Sequence, residues 1–185
     1  MSAVVWITGI PAAGKTTLAH ALHEALVARG RPAHVLDGDD LRATVSRDLG
    51  FGDAARAEQA RRATALALEH AAQGEVAIVS LVSPFAADRA AARAAVEQRA
   101  VRFVEVHLDT PLAECPTRDP KGLYARAAAG EISQLTGFDA PYEAPAHPEV
   151  HLGGEHAPAL DDCVSAVLAA LPSPAGRASA RDPGA

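Results

Sequence analysis

The sequence predicts an α/β fold in three layers, a mostly parallel five-stranded sheet with helices on both faces. Three observations predict it. Short apolar runs alternate with longer helical patterns along the 185 residues, the order produced when parallel strands are joined by crossover helices. The first run, AVVWIT, is apolar throughout rather than alternating, as a strand buried on both faces should be. Polar segments follow the carboxyl ends of four runs, at 9–16, 37–39, 83–84 and 109–110, and ligands of open α/β sheets bind at that edge.

The elements follow in order. Residues 3–8 form the first strand. Leu18, Leu22, Ala25 and Leu26 recur at helical spacing over 16–29, and Gly30 ends that helix. A short strand covers 32–36, and an alanine-rich charged helix runs over 53–73 with Gly74 as its stop. Strand 76–82, helix 86–98 and strand 101–108 come next. Pro111 follows Asp109-Thr110 at a place suited to a helix start. A polar region carrying Gly and Pro spans 118–148, and 149–152 supplies the fifth strand. Leu160, Cys163, Val164, Val167, Leu168 and Leu171 mark a last amphipathic helix. Residues 1–172 thus read as one domain, and 173–185, rich in Pro, Gly, Ser and Ala, as a disordered tail.

Composition narrows the function. Apolar residues are 49% of the chain and aromatics only 4%, so the core is built of Ala, Val and Leu. A net charge of −6 argues against a nucleic-acid partner met through a broad basic surface. Cys115 and Cys163 lie far apart with no C-x-x-C, which suits two small buried apolar residues better than a disulfide or a zinc site. No basic segment with a long apolar run follows Met1, and no stretch reaches membrane-spanning length. A cytoplasmic protein without a membrane partner is expected.

The chain has fifteen arginines and two lysines, and one lysine closes the segment Gly9-Ile10-Pro11-Ala12-Ala13-Gly14-Lys15-Thr16. This is the G-x-x-x-x-G-K-[ST] pattern of a phosphate-binding P-loop, here with a strand before it and a helix after it. The three layers are therefore expected to be those of a P-loop NTPase. Gly9, Ala12, Ala13, Gly14, Lys15, Thr16 and Thr17 are the expected ATP contacts. Backbone amides and the helix N-terminus cradle phosphate oxygens. An ammonium is a compact point charge that fits between β- and γ-phosphates where a planar guanidinium does not. The Thr16 hydroxyl is the expected Mg²⁺ ligand. Pro11 removes one amide donor, and the Ala12 methyl restricts the backbone beside the phosphates.

Asp37-Gly38-Asp39-Asp40 closes the second strand. In-line phosphoryl transfer needs a carboxylate to orient the acceptor hydroxyl and take its proton. Asp39 is the candidate base, with Asp37 in support of Mg²⁺ or the acceptor. An Asp-Gly turn with an Asp helix cap explains the same residues without chemistry. Arg42, three residues beyond Asp39, projects from the same face if a helix follows.

Together these motifs resemble the adenylylsulfate (APS) kinase family. The resemblance runs from about residue 4 to residue 150. It takes in the P-loop, Leu36-Asp37-Gly38-Asp39, Asp48-Leu49-Gly50-Phe51, and Arg56 with Arg61-Arg62. It continues through Ser83-Pro84-Phe85, Asp88-Arg89, Asp109-Thr110-Pro111-Leu112 and the segment 118–124 (RDPKGLY). Gly130-Glu131-Ile132, Thr136-Gly137 and Pro141-Tyr142-Glu143-Ala144-Pro145 complete it. The resemblance implies that ATP phosphorylates the 3′-hydroxyl of adenylylsulfate, giving 3′-phosphoadenylylsulfate and ADP. It implies Lys15 and Asp39 as catalytic residues, Asp39 as the base, and Arg118 on ATP. The acceptor side then comprises Asp37, Arg42, Phe51, Arg56, Gln59, Ser83, Pro84, Lys121 and Leu135, with 118–124 acting as a mobile lid. ATP and Mg²⁺ are the implied cofactors, a small-molecule nucleotide the acceptor, and a homodimer the assembly.

The departures cluster on the acceptor side. After Glu131-Ile132 the family has a lysine where this chain has Ser133, and an aromatic where it has Leu135. Gln59 stands in place of an asparagine. Base stacking is worth about 1–3 kcal/mol, and a hydrogen bond to a charged group about 1.5–3 kcal/mol. Weakened or altered acceptor choice is the expectation, with another nucleotide-linked hydroxyl as the alternative substrate. A non-catalytic nucleotide-binding regulator fits less well with Lys15, Thr16 and Asp39 intact.

Overall fold

A computed structural model describes residues 2–154 and 158–172. Five strands, β1 (Ala3–Thr8), β2 (Ala33–Asp37), β3 (Val76–Ser80), β4 (Arg102–Asp109) and β5 (Val150–Gly153), form one sheet in the order β2-β3-β1-β4-β5. Every neighbouring pair is parallel, so the sheet is wholly rather than mostly parallel. The expected disordered tail at 173–185 lies outside the described residues.

The period-2 alternation of β1 divides the core. Val5 and Ile7 face α1 (Lys15–Ala28) and α6 (Leu160–Ala170), meeting Leu18, Leu22, Leu26 and Val167. Val4 and Trp6 face the other way, into a layer with α3 (Asp53–Ala72) and α4 (Ala86–Glu97), where Ala60, Ala63, Ala67, Ala92 and Phe103 pack. Short alanines let α3 sit close to the sheet, while Trp6 and Phe103, with ring centroids 6.0 Å apart, supply the bulk. Burying each large apolar side chain contributes about 1.5–3 kcal/mol. No helix among the described residues is long and apolar enough to cross a membrane.

One local result realises the helix cap that the Asp-Gly segment allowed, and one differs from the sequence expectations. The chain turns directly from β2 into a short helix, α2 (Gly38–Ala43), with Asp37 as its N-cap: the Asp39 amide donates to Asp37 Oδ1 at 2.9 Å. No helix starts at Pro111. A 3-10 turn covers Cys115–Arg118, and the helix begins only at α5 (Leu123–Ala128). Pro116 lacks the amide that would extend a helix from Pro111, and Pro120 disfavours helical geometry at Asp119. Gly122, at φ 62°, then sets the entry to α5.

Candidate active site

The carboxyl edge of the sheet opens into a cleft of about 1020 Å³. The P-loop forms its floor. Gly9 passes beneath, so close to β4 that a Cβ there would lie 2.5 Å from the Leu108 carbonyl oxygen. Ala12 holds φ 59°, a left-handed conformation that costs an L-residue about 1–2 kcal/mol. The methyl flagged by the sequence thus sits on strained backbone. Thr110, after β4, donates to the Ala13 carbonyl at 2.8 Å and fixes the far side of the loop.

Lys15 Nζ donates to the Gly9 and Ile10 carbonyls at 2.9 and 2.8 Å. Burial pulls its pKa down from 10.5 to about 8, against the opposing field of Asp37. Thr16 Oγ1 donates to Asp37 Oδ2 at 2.8 Å. The Asp37 carboxylate is therefore shared between the first turn of α1 and the first turn of α2. It faces Thr16 on the floor rather than the outer wall.

Asp39 stands in the first turn of α2, exposed to the cleft, and its carboxylate pairs with Lys121 from the opposite wall. That wall is held to the floor: Tyr124 Oη donates to the Pro11 carbonyl at 2.9 Å. The Tyr124 amide in turn binds Asp119 Oδ2 at 2.9 Å. Burial pushes the Tyr124 phenol pKa up, so it stays a donor. Arg118 pairs with Glu114 at 3.1 Å.

The outer wall combines near and distant contacts along the chain. Arg42 donates to the Gly50 carbonyl at 2.7 Å and lies over the Phe51 ring at 4.4 Å. Arg56 bridges the Phe51 and Gln134 carbonyls at 2.9 and 3.1 Å. Gln59, buried, donates to the Gly38 carbonyl at 3.0 Å and so braces the start of α2. Leu135 is only 7% exposed and packs with Cys115 and Tyr124. Ser133 is exposed beside it. The aromatic Phe138 lies nearby but meets the edge of Tyr124 and does not line the cleft.

Ser83 sits at the third corner with φ 44°. Its hydroxyl accepts from the Trp6 indole at 3.1 Å, and its carbonyl accepts from Arg89 at 2.7 Å. Arg89 is itself buried, pairing with Glu105 at 2.9 Å and donating to the Glu143 carbonyl at 2.6 Å. A buried charge needs such full pairing. The network clamps the loop bearing Ser83 and Pro84 to the strap 141–145.

This geometry meets a matching family. The family model described as adenylylsulphate kinase matches residues 1–153. The chain belongs to the adenylylsulphate kinase family. The bifunctional enzyme NodQ of Rhizobium sp. (strain N33) is 50% identical over 150 residues, covering 81% of this chain and 23% of that protein. The chain thus spans about a quarter of the length of that relative. The adenylyl-sulfate kinase of Aeromonas hydrophila subsp. hydrophila is 48% identical over 149 residues, which is 80% of this chain and 75% of that one. Among solved structures, the Mycobacterium tuberculosis APS kinase CysC in complex with AMPPNP and APS superposes with a TM-score of 0.87 at 41% identity. That match covers 91% of this chain and 96% of the other.

In this member of the kinase family, every candidate residue except Gly9 lines one cleft. Lys15, Arg42, Arg56, Arg118, Lys121 and Arg126 all contribute to it, although the chain carries a net charge of −6. Against the four carboxylates of the same lining, Asp37, Asp39, Asp119 and Glu131, the cations still prevail, which favours anionic ligands. Sequence reasoning missed Ser80. Its hydroxyl is buried, lines the cleft and has no hydrogen-bond partner among the described residues. It is in register with Asp37 across the β2–β3 pair, but inside the apolar run 76–82 it gave the sequence no signal. Leu160 and Cys163, read from the sequence only as part of an amphipathic helix, and Pro158 just before α6 also reach the cleft.

Proposed function

We propose that this chain transfers the γ-phosphate of ATP to the 3′-hydroxyl of adenylylsulfate, forming 3′-phosphoadenylylsulfate and ADP. The placement of Asp39 carries the reading. It projects into the cleft two residues after the carboxylate that holds Thr16, with Arg42 and Arg56 beyond it. A carboxylate between a phosphate-binding floor and a cationic wall is where an acceptor hydroxyl must be deprotonated.

Each group then has a task. The amides at the start of α1, with Ala12, Ala13, Gly14 and Thr17, seat the β- and γ-phosphates. Lys15 exchanges its two carbonyl partners for phosphate oxygens and offsets the charge that shifts toward ADP. Asp39 takes the proton of the attacking hydroxyl while the new O–P bond forms and the bond to the ADP oxygen breaks. Asp39 must first part from Lys121, so the lid wall and the base change partners together on substrate entry. Arg42, Arg56, Gln59, Phe51, Ser83, Pro84 and Leu135 bound the acceptor, and Arg118 the donor nucleotide. The Thr16 hydroxyl and the buried Asp37 carboxylate form an all-oxygen set 2.8 Å apart, which fits a hard cation such as Mg²⁺. When bound, Mg²⁺ supplies charge neutralisation at the phosphates. A cytoplasmic homodimer, to be checked by light scattering, completes the proposal.

The test is ADP release from Mg-ATP with and without APS. Saturable stimulation by APS supports the reading. ATP binding without APS-dependent ADP release overturns it. A second reading, the same transfer to another nucleotide-linked hydroxyl, is favoured by one observation: Leu135 is packed into the lid cluster and leaves no second aromatic face opposite Phe51. An acceptor outperforming APS in that assay would establish it.

A further inference from the structure

The amino edge of the sheet, remote from the cleft, holds a second concentration of reactive side chains. His34 lies at the start of β2, His70 in the last turn of α3, and Glu75 just before β3. Their ligand atoms all lie within 4.8 Å of one another. His70 Nδ1 is 2.7 Å from Glu75 Oε2. The His34 and His70 rings stack with centroids 3.9 Å and planes 11° apart.

The scaffold beneath them is fixed. The Gln73 and Glu75 amides both donate to the His70 carbonyl, at 3.0 and 3.2 Å. The Val76 amide donates to the Pro32 carbonyl at 2.9 Å, and His34 is in register with Ala77. The three side chains therefore converge from elements whose spacing is already set. Three residues of strand, about 10 Å at ~3.3 Å per residue, separate His34 from Asp37.

We propose that His34, His70 and Glu75 bind a divalent transition-metal cation of the zinc class, tying β2 to α3 and β3. Two imidazole nitrogens and one carboxylate oxygen are a donor set used by three-ligand zinc sites, with a fourth position open. Imidazole selects against Mg²⁺ and Ca²⁺. Metal bonds of about 2.0–2.1 Å space tetrahedral ligand atoms by about 3.4 Å. Bonding one ion requires the two stacked rings to turn apart, and χ2 is the soft torsion that permits it. Burial, with the His70 and His23 rings, also lowers the His34 pKa, favouring the neutral ligating form.

A comparison within the molecule sharpens this. His107, Asp109 and His151 also group their ligand atoms within 4.8 Å. There, however, the Tyr142 ring lies 5.8 Å from that of His107, and the Arg89 cation acts on the same imidazole. A neighbouring guanidinium opposes a dication.

The test uses full-length protein stripped with chelator and returned to chelator-free buffer. Calorimetric titration with Zn²⁺ should show one site per chain, undisturbed by millimolar Mg²⁺, and thermal midpoints should rise with Zn²⁺. His34→Ala and Glu75→Gln should each weaken binding at least tenfold, whereas His151→Ala should not. Paramagnetic Co²⁺ added to the unmodified protein should broaden the His34 and His70 imidazole resonances first, a readout that needs no substitution. No saturable Zn²⁺ binding, survival of binding in the His34→Ala variant, or its loss in His151→Ala would overturn the proposal.

Discussion

The floor of the cleft and its outer wall are built by different means. The floor is local in its chemistry: nine residues from Gly9 to Thr17 carry the loop, the ammonium and the hydroxyl, and two strand-end residues, Asp37 and Thr110, brace it. The outer wall is assembled across the chain, with Arg56 reaching Gln134 and Gln59 reaching Gly38. A local motif keeps its geometry because backbone hydrogen bonds and strand ends impose it. A wall made of distant side chains changes character with each substitution, and Ser133, Leu135 and Gln59 all lie on that wall.

Asp39 joins the two halves, so its loss should have the largest effect. Asp39→Asn should lower kcat by about 10²–10⁴-fold while ATP affinity by calorimetry stays within a few fold. A comparable loss in ATP affinity would place Asp39 in the floor instead. Lys15→Met should follow, at about 10²–10³-fold in kcat, on the scale of losing one preorganised donor. Its effect should appear equally with any acceptor, since it acts on the donor.

The outer wall predicts smaller, acceptor-specific changes. Ser133→Lys should lower KM for APS by about 10–150-fold, the equivalent of one charged hydrogen bond, without changing KM for ATP. Leu135→Phe is the less clean probe. Leu135 fills the Cys115–Tyr124 cluster, so a larger ring there costs about 1–3 kcal/mol of overpacking. Thermal midpoints should fall for Leu135→Phe and not for the exposed Ser133→Lys.

The smallest effect is one of pH. In the ligand-free protein Lys15 loses its charge as pH rises through about 8. ATP affinity should decline above that point, by at most tenfold per pH unit. Stability should move the other way. Between about 8 and the ordinary 10.5 the unfolded chain holds a proton that the folded chain has released, so the ligand-free fold gains stability as pH rises through that window. Lys15→Met should flatten both profiles.

Much of this was legible in the residues. The strands, the helices covering them and the P-loop announce themselves through apolar runs, spacing and one rare lysine. Four polar segments pointed to one edge, and the structure places them there. What was not legible depended on tertiary partners. The shared Asp37 carboxylate could not be assigned between Thr16 and the outer wall without the β2–α1 distance. Leu135 reads as a missing aromatic face, yet its burial against Tyr124 is a fact of packing. The helix expected at Pro111 failed because Pro116 and Pro120, individually permissible in turns, jointly deny the chain a continuous hydrogen-bond ladder. Ser80 was invisible because an unpartnered hydroxyl acquires meaning only from what surrounds it.

The most direct test of the central claim, that Asp39 delivers an acceptor hydroxyl to a phosphate held on the P-loop floor, is ³¹P NMR of the products formed from Mg-ATP and APS. The account predicts ADP with an equal amount of 3′-phosphomonoester on the intact phosphosulfate, and initial rates of both lowered about 10²–10⁴-fold in Asp39→Asn. ADP accompanied by inorganic phosphate alone, or unchanged initial rates in Asp39→Asn, would contradict it.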